Sequence, residues 1–328
     1  MRRSAPSRGF GMASPAERRQ ADAFFADLLG AAPMRADEYY EDAEGGPTFP
    51  PRYSDVSGTE FIKTIQSAKT PADWQAREDA MVSQLLAGNL PEWLQKWITI
   101  TVSKNDATPV VKVRVLPDYL CVGNETDYRH VPLDPQSAQK VAESYGAMLP
   151  TAKICHAIWR RTPWKRAIRA IQLPELQEKA KKKFAQDSTA AFDAHSLAIQ
   201  AEMKDKISPG ELVAGHKKDV VLSVSGKFRP ETISFHGFYL SDAHPAEPCH
   251  YASAQRPGCK ERPSIYAHPE GVGHFSDYSQ GVRLVHPQME IDGVTHLVAD
   301  VLKDKKLSTL IAEGPIDPPR VPPAPRKR

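Results

Sequence analysis

No stretch of this chain is apolar for long enough to span a bilayer, so the sequence predicts no membrane span. The N-terminus, MRRSAPSRGFGMASPAERRQ, is basic but lacks a continuous apolar block, and no secretory signal peptide is predicted. The expectation is a protein that starts in the cytoplasm and leaves it, if at all, through a specialised export system. Charge of one sign is scarce too: a net +3 over 328 residues does not by itself imply a nucleic-acid partner. The basic run RRTPWKRAIRAIQLPELQEKAKKKF lacks the interleaved aromatics of a single-strand binder and reads as a solvated crossover. Cysteine is limited to four residues, with neither a CxxC nor an HxxxH spacing. Cys249 and Cys259 flank the loop PCHYASAQRPGC; they could pair, stay free, or bind zinc with His244 and His250. No cofactor is expected, and there is no internal repeat.

What is present is an ordinary apolar and charged content, enough for one large core or two modest ones. The fold class expected is α+β. Residues 1–58 read as a flexible arm that could dock or address the protein, with one amphipathic helix over 16–29 followed by an acidic, Pro/Gly-rich linker. Residues 59–312 read as a single domain, and 313–328 as a Pro-rich, basic, disordered tail.

Within the domain, helical spacing is predicted over 60–67 and 71–86, followed by a β-meander of 97–102, 110–115 and 119–122. Asp134 and Pro135 open the next helix and Gly146 stops it, after which Thr151 can cap another. A further helix covers 188–203. Strands are predicted at 220–224, 232–239 and 282–286, and helices at 293–301 and 304–311.

The most informative stretch is PGELVAGHKKDVVLSV, from Pro209 to Val224. Its Pro-Gly turn, short apolar run and glycine deliver His216 to the mouth of a strand, where a rigid sheet could aim a general base into a cleft. A loop histidine capping a strand is the plainer explanation. The helix break before Pro150 is a second candidate place, because helix N-termini lower cysteine pKa values and offer N–H donors to an oxyanion. The polar run GVGHFSDYSQGVRLVHP, which contains His274, Asp277, Tyr278 and Arg283, is a third.

The segment around His216 resembles the histidine segment of the NlpC/P60 peptidases, papain-like hydrolases of bacterial cell walls. The runs VLPDYLCVG, YGAMLPTAKI, AGHKKDVV and DYSQGVRLV are also similar to a group of bacterial proteins, some of which accompany contractile phage-tail-like injection systems. That resemblance implies a papain-like core containing the strands at 220–224, 232–239 and 282–286 in one sheet. It further implies a cysteine hydrolase of amide bonds, acting on peptidoglycan or another peptide, with His216 as base and His236 holding it. Where the group carries Gly-Cys this chain has Gly146-Ala147, and where it carries Ser-His this chain has Ser279-Gln280. Ala147 thus stands at the implied nucleophile position, which suggests an inactivated or pseudoenzymatic chain, with Cys155 as the fallback thiol. Asp277, Tyr278, His274 and Arg283 are the supporting residues. Two alternatives stand beside this reading. One is a non-catalytic component of an injection particle, docked through the N-terminal arm. The other is a metal-dependent hydrolase built from His216, His236, His274 and Asp277.

Overall fold

The computed structural model describes residues 47, 49–65, 71–103, 109–166, 189–223, 233–237, 263–264, 276 and 278–321, all within one compact unit from Gly45 to Arg328. Helix α1 (Gly58–Thr64) opens with a reciprocal capping box between Ser57 and Glu60. Helix α2 (Pro71–Leu86) buries Met81, Val82 and Leu85. A single 3-10 turn, Glu92–Leu94, leads to β1 (Ile98–Thr101) and β2 (Val111–Val115), which pair antiparallel. Strands β3 (Cys121–Gly123) and β4 (Tyr128–His130) form a separate ladder of their own.

Helix α3 (Pro135–Ser144) starts where the Asp134 carboxylate accepts the Ser137 N–H at 2.8 Å and Pro135 supplies a preset φ. It ends in a Schellman turn: Gly146 takes a φ of +61°, its N–H reaches the Glu143 carbonyl, and the Ala147 N–H reaches the Ala142 carbonyl. Helix α4 (Ala152–Arg161) follows, capped by Thr151. Then come β5 (Trp164–Lys165), helix α5 (Thr189–Met203), β6 (Val213–Ala214), β7 (Lys218–Val221), β8 (Ile233–His236), β9 (Pro263–Ser264) and β10 (Gln280–Gly281). Strands β11 (Val285–Ile291) and β12 (Val294–Leu297), then helices α6 (Val298–Lys303) and α7 (Ser308–Ile311), complete the described elements. None of the described helices is long and apolar enough to cross a membrane.

The α+β class holds, with two four-stranded sheets, β1-β2-β11-β12 and β10-β7-β8-β9. One continuous stretch of chain serves both. Gln280 and Gly281 run parallel to β7, residues 282 and 284 accept backbone hydrogen bonds from Leu120 and Leu116, and from Val285 the chain pairs with β2. The segment just before α4 is pinned to both sheets as well, Met148 bridging Val285 and Thr151 bridging Leu222. Leu116, Leu120, Val141, Ile154, Val220 and Val285 fill the space around this junction and are completely buried.

Three expectations need correction. The meander does not form, because the turn at Pro117-Asp118 swings the chain away and β2 pairs instead with β11. The strands expected in one sheet at 220–224, 232–239 and 282–286 are divided: β7 and β8 are neighbours, whereas β11 lies in the other sheet. Residues 294–297, expected as helix, are a strand, since Asp292 (φ +50°) and Gly293 (φ +80°) fold the chain into a two-residue hairpin. Of the two margins expected to be flexible, residues 1–46 (with the helix expected over 16–29), 48 and 322–328 lie outside the described residues, and the parts that are described pack on the domain. Phe49 lies 5.7 Å from the Trp97 ring, and the Val56 carbonyl accepts from Asn89. At the other end Ile316 and Val321 are buried, and the Val321 N–H donates to Gln139.

Gly215 is required where it stands. Its φ is +83°, and a Cβ there would lie 2.1 Å from the Trp159 ring. Gly215→Ala is therefore expected to cost about 2–5 kcal/mol, from left-handed backbone strain plus overpacking. Denaturant unfolding measures it; a loss below about 0.5 kcal/mol, the ordinary range for surface changes, would contradict this packing.

A second prediction arises from α2. Glu78 is buried, accepts the Asp134 N–H at 2.7 Å and lies near Ser276. Burial, then the neighbouring Asp134 carboxylate, pushes its carboxyl up to about 8, against Arg77 and the local hydrogen bonds. A carboxyl raised in the folded state binds more protons than in the unfolded chain between about pH 4.5 and 8, so its contribution to stability falls as pH rises through that window. Glu78→Gln keeps the shape and removes the titration. The variant should gain on wild type by a few kcal/mol on going from pH 5 to pH 8. Parallel melting curves at the two pH values would refute this.

Candidate functional site

Cys155 sits at the start of the second turn of α4, its N–H already bonded to the Thr151 carbonyl at 3.0 Å. Facing it are Asp219 of β7 and His236 of β8, which are direct cross-strand partners and so project from one face of the hairpin. One donor atom from each of the three side chains lies within 4.8 Å of the others. All three are buried. The Cys155 thiol donates to the Asp219 carboxylate; burial and that carboxylate together push the thiol well above its ordinary value. Burial likewise raises the Asp219 carboxyl to about 6, with the Arg283 guanidinium and the Tyr119 hydroxyl opposing the rise.

Tyr119 connects this group to a second one. Its hydroxyl lies 3.1 Å from Asp219 Oδ2 and 3.2 Å from the Lys217 carbonyl, and its ring meets the His216 ring edge-on at 4.8 Å. Burial and the nearby Asp219 hold the Tyr119 hydroxyl protonated far above the usual range. The Arg283 guanidinium stacks 4.5 Å from the Tyr119 ring and donates to the Leu116 and Val213 carbonyls.

His216 is held by Asp118. The Asp118 carboxylate stands between two imidazoles, Oδ1 at 2.9 Å from His216 Nε2 and Oδ2 at 3.0 Å from His130 Nε2, and Oδ1 also accepts the Tyr119 N–H. Burial alone would raise this carboxyl, but its electrostatic attraction to the two imidazoles and the hydrogen bonds from their Nε2–H groups outweigh it and hold it well below the usual range. Burial lowers His216 to about 4, with Asp118 working against that shift, so His216 is neutral at pH 7.

The tautomers follow from counting protons. Ser196 Oγ accepts from the backbone N–H of His130 and from Gln200 Nε2, so its own proton goes to His130 Nδ1 at 3.3 Å. His130 must then carry its proton on Nε2, donated to Asp118. An ion on that nitrogen would force the proton to Nδ1, against a hydroxyl whose acceptor capacity is already used. The trio Asp118, His130 and His216 has metal-compatible spacing, yet its protons are accounted for by hydrogen bonds. Ser196, with both lone pairs engaged and lodged inside α5, is likewise a structural hydroxyl. His216 Nδ1 has no hydrogen-bond partner among the described residues.

The predicted site residues are thus divided. His216 and His236 belong to different groups, and the group that orients His216 is Asp118. Ala147 is not at the N-terminus of α4: it closes the Schellman turn of α3, with 148–150 and the cap Thr151 still to come. Arg283 lies beside Asp219 and Tyr119, within the crossover between sheets. Tyr278 is half-buried, its carbonyl accepting from Lys217 Nζ and its ring 5.3 Å from His195. His274 and Asp277, and with them the four-residue metal site, lie outside the described residues, as do Cys249 and Cys259. Asp118, His130 and Asp219 were missed. The Pro117-Asp118 pair reads as turn chemistry, and the one available signal for Asp219 was an acid directly before the apolar run that starts at Val220.

No protein-family model, curated protein or solved structure matches this chain.

Proposed function

We propose that the protein is a cysteine hydrolase of amide bonds, with Cys155 as nucleophile, His236 as general base and Asp219 as the carboxylate that orders them. The observation that carries this reading is the helix-borne thiol meeting an imidazole and a carboxylate on adjacent strands, all within 4.8 Å. A helix thiol opposed to a histidine-bearing sheet is the working arrangement of papain-like hydrolases. The resemblance of the Pro209–Val224 stretch to the NlpC/P60 peptidases suggests the same class of reaction, but its histidine, His216, is held by Asp118 and is not the base of this mechanism. Peptidoglycan stem or crosslink peptides are the substrate class it suggests.

Ala147 has no part in this reading, because the Schellman turn accounts for it. Tyr119 holds Asp219, and Arg283 offsets the buried carboxylate's charge. Since the thiol rests protonated, the chemistry is general-base attack rather than a preformed thiolate–imidazolium pair. His236 takes the thiol proton as Sγ bonds to the carbonyl carbon. The tetrahedral intermediate collapses when the imidazolium returns that proton to the leaving amine. Water then cleaves the acyl-thioester and regenerates the thiol.

The test is release of free amino groups from purified cell walls by the full chain and by Cys155→Ser. Turnover by the wild type that disappears in the variant supports the reading. Equal release by both, or none by either across wall and peptide substrates, would overturn it in favour of a non-catalytic binding protein.

A further inference from the structure

We propose that Cys155, Asp219 and His236 also form a zinc site. The inference uses the same three side chains as the catalytic reading but does not depend on it. Sulfur, imidazole nitrogen and carboxylate oxygen are the three donor types zinc accepts, and three protein ligands with an open fourth position make its usual reactive site. The donors already lie within 4.8 Å of one another, so closing onto an ion with bonds of about 2.0–2.3 Å needs side-chain shifts on the order of 1 Å. The frame is well fixed: two ligands are cross-strand partners on β7 and β8, and the third stands on a helix whose N-terminus is bridged to Leu222, the residue after β7.

The surroundings select the ion. A buried thiol and imidazole disfavour magnesium and calcium, which take oxygen ligands and keep water. The Tyr119 hydroxyl on Asp219 is the outer-sphere hydrogen bond that orients a ligating carboxylate. The charge also balances. A thiolate and a carboxylate neutralise Zn²⁺, and binding breaks the S–H bond, forms the S–Zn bond and releases that proton to solvent. Arg283 opposes a cation here and moderates affinity, although both of its Nη atoms are engaged by backbone carbonyls. The Asp118 trio offers no such opening, since its protons are already placed. Zinc at Cys155 occupies the thiol, and the same site becomes one that metal closes and a chelator reopens.

The experiment uses tag-free full-length chain, stripped with chelator and titrated with Co²⁺ as a spectroscopic stand-in, then with Zn²⁺ in competition. One Co²⁺ per chain with a thiolate-to-metal charge-transfer band is expected. The band should be absent from Cys155→Ser, retained in His216→Ala, and accompanied by about ten-fold weaker binding in Tyr119→Phe. Peptide mapping after iodoacetamide should show Zn²⁺ protecting Cys155, with EDTA restoring its labelling; this measurement stands even if a variant fails to fold. No charge-transfer band in the wild type, a band that survives Cys155→Ser, or labelling of Cys155 indifferent to Zn²⁺ would each overturn the proposal. Metal binding without any hydrolysis would leave this inference standing and remove the catalytic one; hydrolysis without metal binding would do the reverse.

Discussion

Asp118→Ala should destabilise the fold by about 3–5 kcal/mol, the scale expected when one partner of a buried charged network is removed. Three donors depend on this carboxylate: His130 Nε2, His216 Nε2 and the Tyr119 amide. Each would be left buried without its acceptor, and water has no evident route to them, both imidazoles being fully buried. Asp118→Asn is the informative companion. An amide offers one acceptor oxygen and an NH₂ group, so one imidazole must switch tautomer and accept. His130 cannot, because Ser196 already donates to its Nδ1; His216 can, because its Nδ1 has no partner among the described residues. Turning the NH₂ toward His216 also takes the acceptor from the Tyr119 amide, which shares Oδ1, so the asparagine variant should lose about 1–3 kcal/mol, with the imidazoles satisfied and that one amide unpaired. Denaturant unfolding gives the energies, and nitrogen NMR of the histidines should show the proton moving on His216 alone. A proton moving on His130 instead would refute the assignment made from Ser196.

The second large effect follows from the proposed mechanism: His236→Ala should lower turnover by about 10²–10⁴-fold, the usual contribution of a positioned general base. The thiol remains in this variant, so residual activity would depend on hydroxide to ionise it. Burial and Asp219 hold that thiol up, so the residual rate should climb with pH through the alkaline range without levelling near neutrality. The wild type, using an imidazole, should level off much earlier. A variant within five-fold of wild type at pH 7, or one whose pH profile matches it, would remove His236 from the chemistry. Asp219→Asn separates ordering from electrostatics: it takes a negative charge away from Cys155 and should speed iodoacetamide labelling of that thiol even while hydrolysis declines.

How much of this was legible in the sequence varies by element. Helices α2 and α3 were readable because local signals agree: Pro71 begins one, and Asp134-Pro135 with Gly146 punctuates the other. The α+β class was readable from the same alternation of periods. Strand pairing was not, because the partner of β2 is supplied by β11, far along the chain, and no local pattern encodes it. The Asp292-Gly293 hairpin was within reach, since Asp-Gly between apolar runs is a strong turn signal, but the helical spacing of 293–301 competes with it. His216 stood out through the glycine and strand around it, whereas its partner Asp118 hid behind a proline. Cys155 is core by burial, and only the register of Asp219 against His236 shows what it faces.

The shared crossover has a consequence for synthesis. The first sheet closes only when β11 arrives, and the Val110 amide meets the Asp292 carboxylate across 182 residues of chain. The second sheet also waits for β10 at its β7 edge. A nascent chain halted before Gln280 would carry two incomplete sheets, each presenting a row of unsatisfied amides and carbonyls on what becomes an interior strand. Contacts this distant make folding slow, and the waiting edges are templates for association between unfinished copies. Stalled or C-terminally truncated products should accumulate as aggregates and demand chaperone protection, because both sheets become complete together, only once Gln280 to Leu297 has been made.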